Sequence, residues 1–140
     1  MKINAIYYVA AGILFTTIFT QTSMAAESTE ELYKQCEAKQ TIAEQRACYP
    51  MVAKQSEAEL IVAEKQARAT MVDLERKSEG SRLMQPVKAF DKAERIYRAF
   101  RSAESHRVLA SYGSGNGGGL ASYQTTIEMN IARIKQLKTQ

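Results

Sequence analysis

The chain has few of the side chains from which catalytic and metal sites are usually built. Its 140 residues include one histidine and two cysteines. The histidine, His106, has no cysteine near it in sequence, so we interpret it as a helix-face or surface residue. A glycine-rich run is present, but no Gly-Lys-Ser/Thr follows it and no strand precedes it, which argues against a P-loop. We therefore expect no catalytic residue, no cofactor and no metal site.

An enzyme of the cell-wall hydrolase type is the least favoured alternative. Two of the three residues Glu57, Glu59 and Glu64 could serve as the pair of carboxylic side chains that glycoside hydrolysis requires. Helical register instead places Glu57 and Glu64 beside a bundle seam or on its rim and turns Glu59 to solvent. We expect the protein not to be an enzyme.

Residues 1–25 have the pattern of an export signal. Lys2 precedes an uncharged apolar run, and Ser23-Met24-Ala25 provides the small residues that signal peptidase requires. The run is shorter than the roughly 20 residues of a membrane-spanning helix, so a retained anchor is the less favoured alternative. Because the residue after Ala25 is not cysteine, we expect no lipid anchor. The pattern predicts a periplasmic or secreted protein, with residues 26–140 as a single domain.

Charge is unevenly distributed within the predicted domain. Residues 26–80 carry 8 Lys/Arg against 11 Asp/Glu, and residues 81–140 carry 10 against 4. The basic half contains oppositely charged pairs at helical spacing: Asp91 and Arg95, Glu94 and Arg98, Arg101 and Glu104. This spacing predicts that most of these charges pair within their own helix, and an anionic partner is the alternative. No nucleic-acid-binding motif accompanies the basic residues, so we expect no nucleic-acid partner.

The cysteines, Cys36 and Cys48, predict one disulfide in an exported chain. On one straight helix they would lie roughly 18 Å apart, whereas the Cα atoms of bridged cysteines are about 5 to 6 Å apart. The helix must therefore break between them. Thr41 and Glu44 have capping-box spacing and can start a new helix there. A metal pair or a redox dithiol is the alternative, but the close spacing or the extra histidine ligands are missing.

No segment alternates as a strand would, whereas apolar residues recur at helical spacing. We predict a short helix from Ser28, a second from Thr41 to about Ser78 with a kink at Pro50, and a third from about Gln85. After the glycine loop, a capping box at Thr125 should open the last helix. The fold class is all-α, an antiparallel bundle of three main helices plus a short disulfide-tied N-terminal helix.

The third predicted helix has the best apolar stripe in the chain. Its members are Val87, Phe90, Tyr97, Phe100 and Val108. Such a stripe is typical of a core-facing helix surface, so we expect Phe90 and Phe100 to be buried together.

The same helix contains a run of aromatic, basic and small residues between Phe90 and Glu104. Its characteristic members are Lys92, Ala93, Arg95, Tyr97, Phe100, Arg101, Ala103 and Glu104. This run resembles the signature of the LprI-like lysozyme-inhibitor family. The family's third helix typically reads Leu-Arg-Lys-Ala-Gln-Arg-Ala-Trp, with an aromatic-Arg-Asp-Ala-Glu-Cys continuation, and Tyr97 stands at the tryptophan position. The N-terminal cysteine pair, the step Ala58-Glu59-Leu60 and the closing stretch 133–137 are also similar to the family pattern.

One coherent departure from the family pattern concerns its second disulfide. Ser105 stands where many members have a third cysteine, and the stretch from Ser122 to Thr126 has no cysteine where they have a fourth. Both partners of that bridge are therefore missing. We expect the glycine loop, Gly113–Gly119, to be less tethered than in those members.

The resemblance implies an exported protein-binding protein that inhibits lysozyme or a related cell-wall hydrolase without covalent chemistry. Tyr112, Ser114 and Asn116 are the candidate contacts in the loop, since their hydroxyl and amide groups can mimic the hydrogen bonds of a sugar. Glu57 and Glu59, in the acidic half, are the candidates for docking to a basic enzyme. The alternative is an envelope or secretion-associated interaction protein, or an immunity protein, without lysozyme inhibition. We expect no stable membrane insertion after signal cleavage.

Overall fold

A computed structural model describes residues 27–139 of the chain, which form five α-helices without a strand. They are α1 (Thr29–Glu37), α2 (Ile42–Lys77), α3 (Glu79–Leu83), α4 (Pro86–Ser111) and α5 (Gly118–Lys138). The long helices α2, α4 and α5 pack on one another, and α1 packs on α2 and α5. The predicted all-α bundle of three main helices with a short N-terminal helix is confirmed. The predicted signal peptide, residues 1–25, lies outside the described residues.

Local hydrogen bonds start the first two helices where the sequence predicts. The amide of Ser28 donates to Glu31 Oε2 at 2.9 Å, and the amide of Thr41 donates to Glu44 Oε2 at 3.0 Å. In each case the hydroxyl of the capping residue accepts the backbone amide of the same glutamate, which completes a capping box. These bonds lower the pKa of Glu31 and of Glu44, because they favour the ionised carboxylate.

The break between α1 and α2 brings the two cysteines together. Cys36 and Cys48 form a disulfide with their Cα atoms 5.7 Å apart. Both the predicted bridge and the helix break that it requires are confirmed. Farther along, α2 runs as one continuous helix through Pro50 and ends at Lys77. The next residue, Ser78, caps the start of α3, where its hydroxyl accepts the amide of Ser81.

Helix α1 is also attached to α5 by side chains. The Tyr33 hydroxyl donates to Glu128 Oε1 at 2.5 Å, and burial together with this bond raises the pKa of Tyr33. Lys135 Nζ lies 2.8 Å from Glu30 Oε2 and lowers the pKa of that carboxyl. The short helix is therefore held by the disulfide on one side and by α5 on the other.

The core consists of two apolar clusters that follow each other along α2 and α5. The first contains Tyr33, Cys36, Tyr49, Val52 and Ile127, and the second contains Leu60, Ala63, Ala67, Ile134 and Leu137. Between them lie two fully buried polar residues, Ser56 and Asn130. Asn130 Nδ2 donates to Ser56 Oγ at 2.8 Å, so the clusters are separated by a hydrogen-bonded polar layer.

Helix α4 supplies charged side chains to its interfaces. Arg101 Nη1 donates to Asn130 Oδ1 at 2.5 Å on α5 and lies 2.7 Å from Glu57 Oε2 on α2. Glu94 is buried and pairs with Arg133 of α5. The side chain of Arg101 therefore bonds to both of the other long helices and joins the polar layer to α4.

The prediction that the charges of α4 pair within their own helix is wrong for most of them. Asp91 pairs with Arg68 of α2 at 2.8 Å, and Arg98 pairs with Glu64 of α2. Spacing alone cannot distinguish the two arrangements, because charges at i, i+3 and i+4 also form a face that can meet a neighbouring helix. The pair with Arg68 lowers the pKa of Asp91.

The predicted burial of Phe100 is also wrong, since its side chain is 58% exposed. On α4, Arg101 turns toward α2 and α5, and the adjacent Phe100 lies about 100° from it around the helix, which leaves the aromatic ring mostly exposed. Phe90 is half-buried and packs against the second apolar cluster. The inward surface of α4 is thus a mixed stripe of aromatic and charged residues.

A comparison of two truncations tests this orientation of α4. Leu60→Ala removes a fully buried side chain of the second cluster and should cost about 2 to 5 kcal/mol. Phe100→Ala removes an exposed side chain and should cost less than about 0.5 kcal/mol. Urea unfolding of both variants measures the difference. An equal loss of stability in the two would contradict the orientation.

The polar layer gives a second prediction. Asn130→Ala should cost about 1 to 3 kcal/mol, because it removes the hydrogen bonds that Ser56 and Arg101 make to a fully buried amide. The matched control is Asn116→Ala, which truncates an exposed asparagine and should change the free energy of unfolding by less than about 0.5 kcal/mol. Thermal or urea denaturation distinguishes them, and a neutral Asn130→Ala would mean that the layer contributes nothing to stability.

Candidate target-binding site

The three predicted loop contacts lie in the connection 112–117 between α4 and α5. Tyr112 caps the end of α4, and its carbonyl accepts the amide of Gly115 at 2.9 Å, which closes a tight turn. Tyr112, Ser114 and Asn116 are all exposed. The loop therefore presents a phenol, a hydroxyl and a carboxamide at one end of the bundle.

The loop is shorter than the glycine run suggested, because α5 begins at Gly118 rather than near Thr125. A Cβ atom at Gly118 would lie 2.9 Å from the carbonyl oxygen of Leu109, and one at Gly117 would lie 2.9 Å from the Tyr112 ring. These glycines permit the start of α5 to pack directly on the last turn of α4. The predicted capping box is therefore wrong: Thr125 lies inside α5, where its hydroxyl donates to a carbonyl one turn earlier.

A cluster of hydroxyl groups connects α4 and α5 beside the loop. Ser105 Oγ and Ser122 Oγ lie 2.7 Å apart, and Thr126 Oγ1 donates to Ser105 Oγ at 3.0 Å. By the resemblance described above, Ser105 stands where many members have a third cysteine. The serine pair therefore joins the two helices by a hydrogen bond at a place where a disulfide would join them covalently.

Replacement of this serine pair by cysteines should create a covalent link between α4 and α5. We expect Ser105→Cys with Ser122→Cys to oxidise spontaneously and to stabilise the fold by about 3 kcal/mol, the loop-closure effect for a short loop. Ser111→Cys with Ser122→Cys is the matched control, since Ser111 lies almost two turns farther along α4. Intact mass and thiol alkylation report the bridge. If the two introduced thiols of the first variant stay reduced in air-oxidised protein, the alignment of the two helices is contradicted.

Glu57 and Glu59 do not form a common acidic face. Glu57 is paired with Arg101 on the α4 side of α2. Glu59 Oε1 accepts the amide of Thr29 at 2.8 Å, at the first residue of α1. The prediction that Glu59 points to solvent is wrong, because the packing of α1 on α2 places a helix N-terminus over this carboxylate. Both glutamates thus have structural partners and lie away from the loop.

Arg46 is a candidate that the sequence patterns did not indicate. It is exposed near the start of α2, and its Nη2 donates to the carbonyl of Asn116, 70 residues away. The contact arises because α2 and α5 run in parallel, so that the start of α2 meets the loop that precedes α5. A guanidinium has five N–H groups, and this bond uses one of them. Arg46 therefore adds a cation to the polar surface of the loop.

Of the remaining residues of the third-helix motif, Tyr97 connects α4 to α5. The Tyr97 hydroxyl donates to the carbonyl of Met129 at 2.7 Å, and the guanidinium of Arg133 lies 5.2 Å from the centre of its ring. Burial raises the pKa of Tyr97. Glu104 pairs with Arg107 rather than with Arg101, and this pair lowers its pKa. Arg95 is exposed on another side of α4.

The described part of the chain contains no group of three or more His, Cys, Asp or Glu side chains placed to hold a metal ion. His106 is exposed. Over the same range, no helix combines the length and the apolar character needed to cross a bilayer.

These features define a class of small helical bundle with a disulfide-tied N-terminal helix and an exposed polar loop. The sequence model of the family described as lysozyme inhibitor LprI matches residues 34–137. This range includes the last four residues of α1 and the later helices up to the last turn of α5. The chain belongs to the LprI family. No curated protein and no solved structure gives a significant match.

Proposed function

We propose that this protein is an exported, non-covalent inhibitor of lysozyme or of a related cell-wall hydrolase. The observation that carries the proposal is the family match over residues 34–137. An export signal at residues 1–25 is consistent with it, because cell-wall hydrolases act outside the cytoplasm. The protein acts in the periplasm or medium as a binding partner and performs no chemical step.

The contact surface that we propose is the loop 112–117. Its phenol, hydroxyl and carboxamide are the kinds of group that can occupy hydrogen-bonding positions in a sugar-binding cleft. The turn at Gly115 and the ring of Tyr112 packed over Gly117 fix part of the loop before binding. A preorganised loop has less conformational entropy to lose in the complex, which favours affinity.

Arg46 extends this surface with a positive charge. The catalytic cleft of a lysozyme contains a pair of carboxylic side chains, at least one of which is ionised. A guanidinium at the edge of an inserted loop can form charge-assisted hydrogen bonds with such a carboxylate. The bond from Arg46 to the Asn116 carbonyl holds the guanidinium next to the loop.

Long-range electrostatics contribute little to the proposed complex. Residues 26–140 carry 18 Lys/Arg and 15 Asp/Glu, a net charge of +3, so a basic lysozyme is not attracted by the overall field. Docking through Glu57 and Glu59 would compete with their bonds to Arg101 and to the start of α1. Short-range contacts of the loop are therefore the favoured source of affinity.

Substitution of the loop tests the proposal. Tyr112→Ala, Ser114→Ala and Asn116→Ala together should weaken inhibition of a lysozyme at least tenfold, which corresponds to a loss of about 1.4 kcal/mol of binding free energy. Arg46→Ala should weaken it as well. Peptidoglycan lysis with titrated inhibitor is the measurement, and Phe100→Ala, an exposed aromatic residue outside the loop, is the matched control.

Other outcomes assign the contact elsewhere. If Glu57→Gln with Glu59→Gln abolishes inhibition while the loop variants do not, docking takes place through the acidic half. If the unmutated protein inhibits no lysozyme at tens-of-micromolar excess, the inhibitor proposal fails, and an envelope or immunity interaction protein takes its place.

A further inference from the structure

The corner between α3 and α4 exposes an apolar tip. Leu83 and Met84 are 74% and 79% exposed, more than any other large apolar side chain in the described part of the chain. No residue of α3 is buried, so these side chains do not support the fold. The backbone nevertheless fixes the corner, because the amides of Met84 and Gln85 donate to the carbonyls of Ser81 and Arg82 at 3.2 and 3.1 Å.

The turn that follows the tip is strained and held in place. Gln85 has a φ of 50°, a left-handed conformation that a residue with a side chain rarely adopts. The next helix begins with Pro86, and Glu75 of α2 accepts the amide of Val87 at 3.1 Å. The surrounding contacts thus keep the tip projecting from the end of the bundle.

A stripe of positive charge runs from this corner along α4. Lys88, Lys92 and Arg95 lie at i, i+4 and i+7, on one face of the helix, and all three are exposed. The carboxylates nearby are engaged: Asp91 pairs with Arg68, and Glu75 holds the start of α4. Within residues 27–139, no carboxylate lies in ion-pair distance of the three basic side chains.

An apolar tip beside a stripe of basic side chains fits the surface of a bilayer better than it fits the surface of another protein. Two protruding aliphatic side chains bury too little area for a stable protein interface. An apolar tip that enters the boundary between headgroups and acyl chains, flanked by lysine and arginine on anionic lipid phosphates, supplies the two signals that reversible membrane attachment requires.

We propose that the α3–α4 corner attaches this protein reversibly to bilayers that contain anionic phospholipids. Leu83 and Met84 enter the interface, while Lys88, Lys92 and Arg95 contact lipid phosphates as α4 approaches at an angle. The loop 112–117 lies at the other end of α4, about 39 Å away along the helix axis, and stays free for a protein target. This inference does not rest on lysozyme inhibition.

Vesicle co-sedimentation tests the inference. The exported protein is used after its N-terminus has been determined by intact mass, because the apolar residues of the signal would bind vesicles by themselves. We expect binding to vesicles of phosphatidylethanolamine with phosphatidylglycerol, at least tenfold weaker binding to phosphatidylcholine vesicles, and a decrease as salt is raised. Equal binding to the two kinds of vesicle, or no binding to either, would overturn the inference.

Matched variants locate the contact. Leu83→Ser with Met84→Ser should lower the affinity for anionic vesicles at least tenfold, whereas Ile96→Ser, at a 56% exposed residue of α4, should not. Replacement of Lys88, Lys92 and Arg95 by Gln should have a similar effect. The control with the same loss of charge replaces three other exposed residues by Gln: Lys39, Lys54 and Lys138.

Unchanged urea midpoints show that the variants are folded. Unchanged vesicle binding in the Leu83→Ser, Met84→Ser variant would overturn the assignment of the corner. If vesicles are not bound and the same variants instead weaken a lysozyme complex, the corner is a protein-docking surface and the membrane inference is wrong.

Discussion

The arrangement of the long helices depends on the guanidinium of Arg101. It bonds to Asn130 of α5 and to Glu57 of α2, and Asn130 in turn donates to Ser56. This polar layer separates two apolar clusters, so a shift of α4 along its neighbours would place a charge against apolar side chains. The cost of such burial is large unless the charge is paired, which makes one register much better than the others. The layer thereby specifies which residues meet along the bundle.

The geometry of the loop follows from that register. With Arg101 opposite Asn130, Ser105 meets Ser122 and the end of α4 meets the start of α5. The loop then needs few residues, and it needs glycine where the two backbones approach most closely. The parallel packing of α2 and α5 similarly brings Arg46 to the loop. A polar layer in the middle of the bundle thus controls the shape of the surface that we propose for target binding.

The two surfaces that we propose for binding lie at opposite ends of α4. At its C-terminal end is a polar loop, which suits a cleft that normally binds sugars. At its N-terminal end is an apolar tip beside a basic stripe, which suits an anionic bilayer. Ion pairs between helices thus neutralise only part of the excess of basic over acidic side chains in the second half of the chain. A protein held at a membrane by one end and presenting a loop at the other is compatible with a target that acts on the cell wall.

The sequence by itself determined what depends on neighbours along the chain. The capping boxes at Ser28 and Thr41, the disulfide with its helix break, the all-α class and the family resemblance were predictable, because hydrogen bonds and spacing over a few residues carry them. Only the tertiary structure decided which face of α4 is buried, where α5 begins, and where Glu59 and Arg46 lie. Phe100 and Arg101 are adjacent, and apolar periodicity favours the aromatic residue for the core. Partners on α2 and α5, distant in sequence, turn the arginine inward instead, and local patterns do not contain that information.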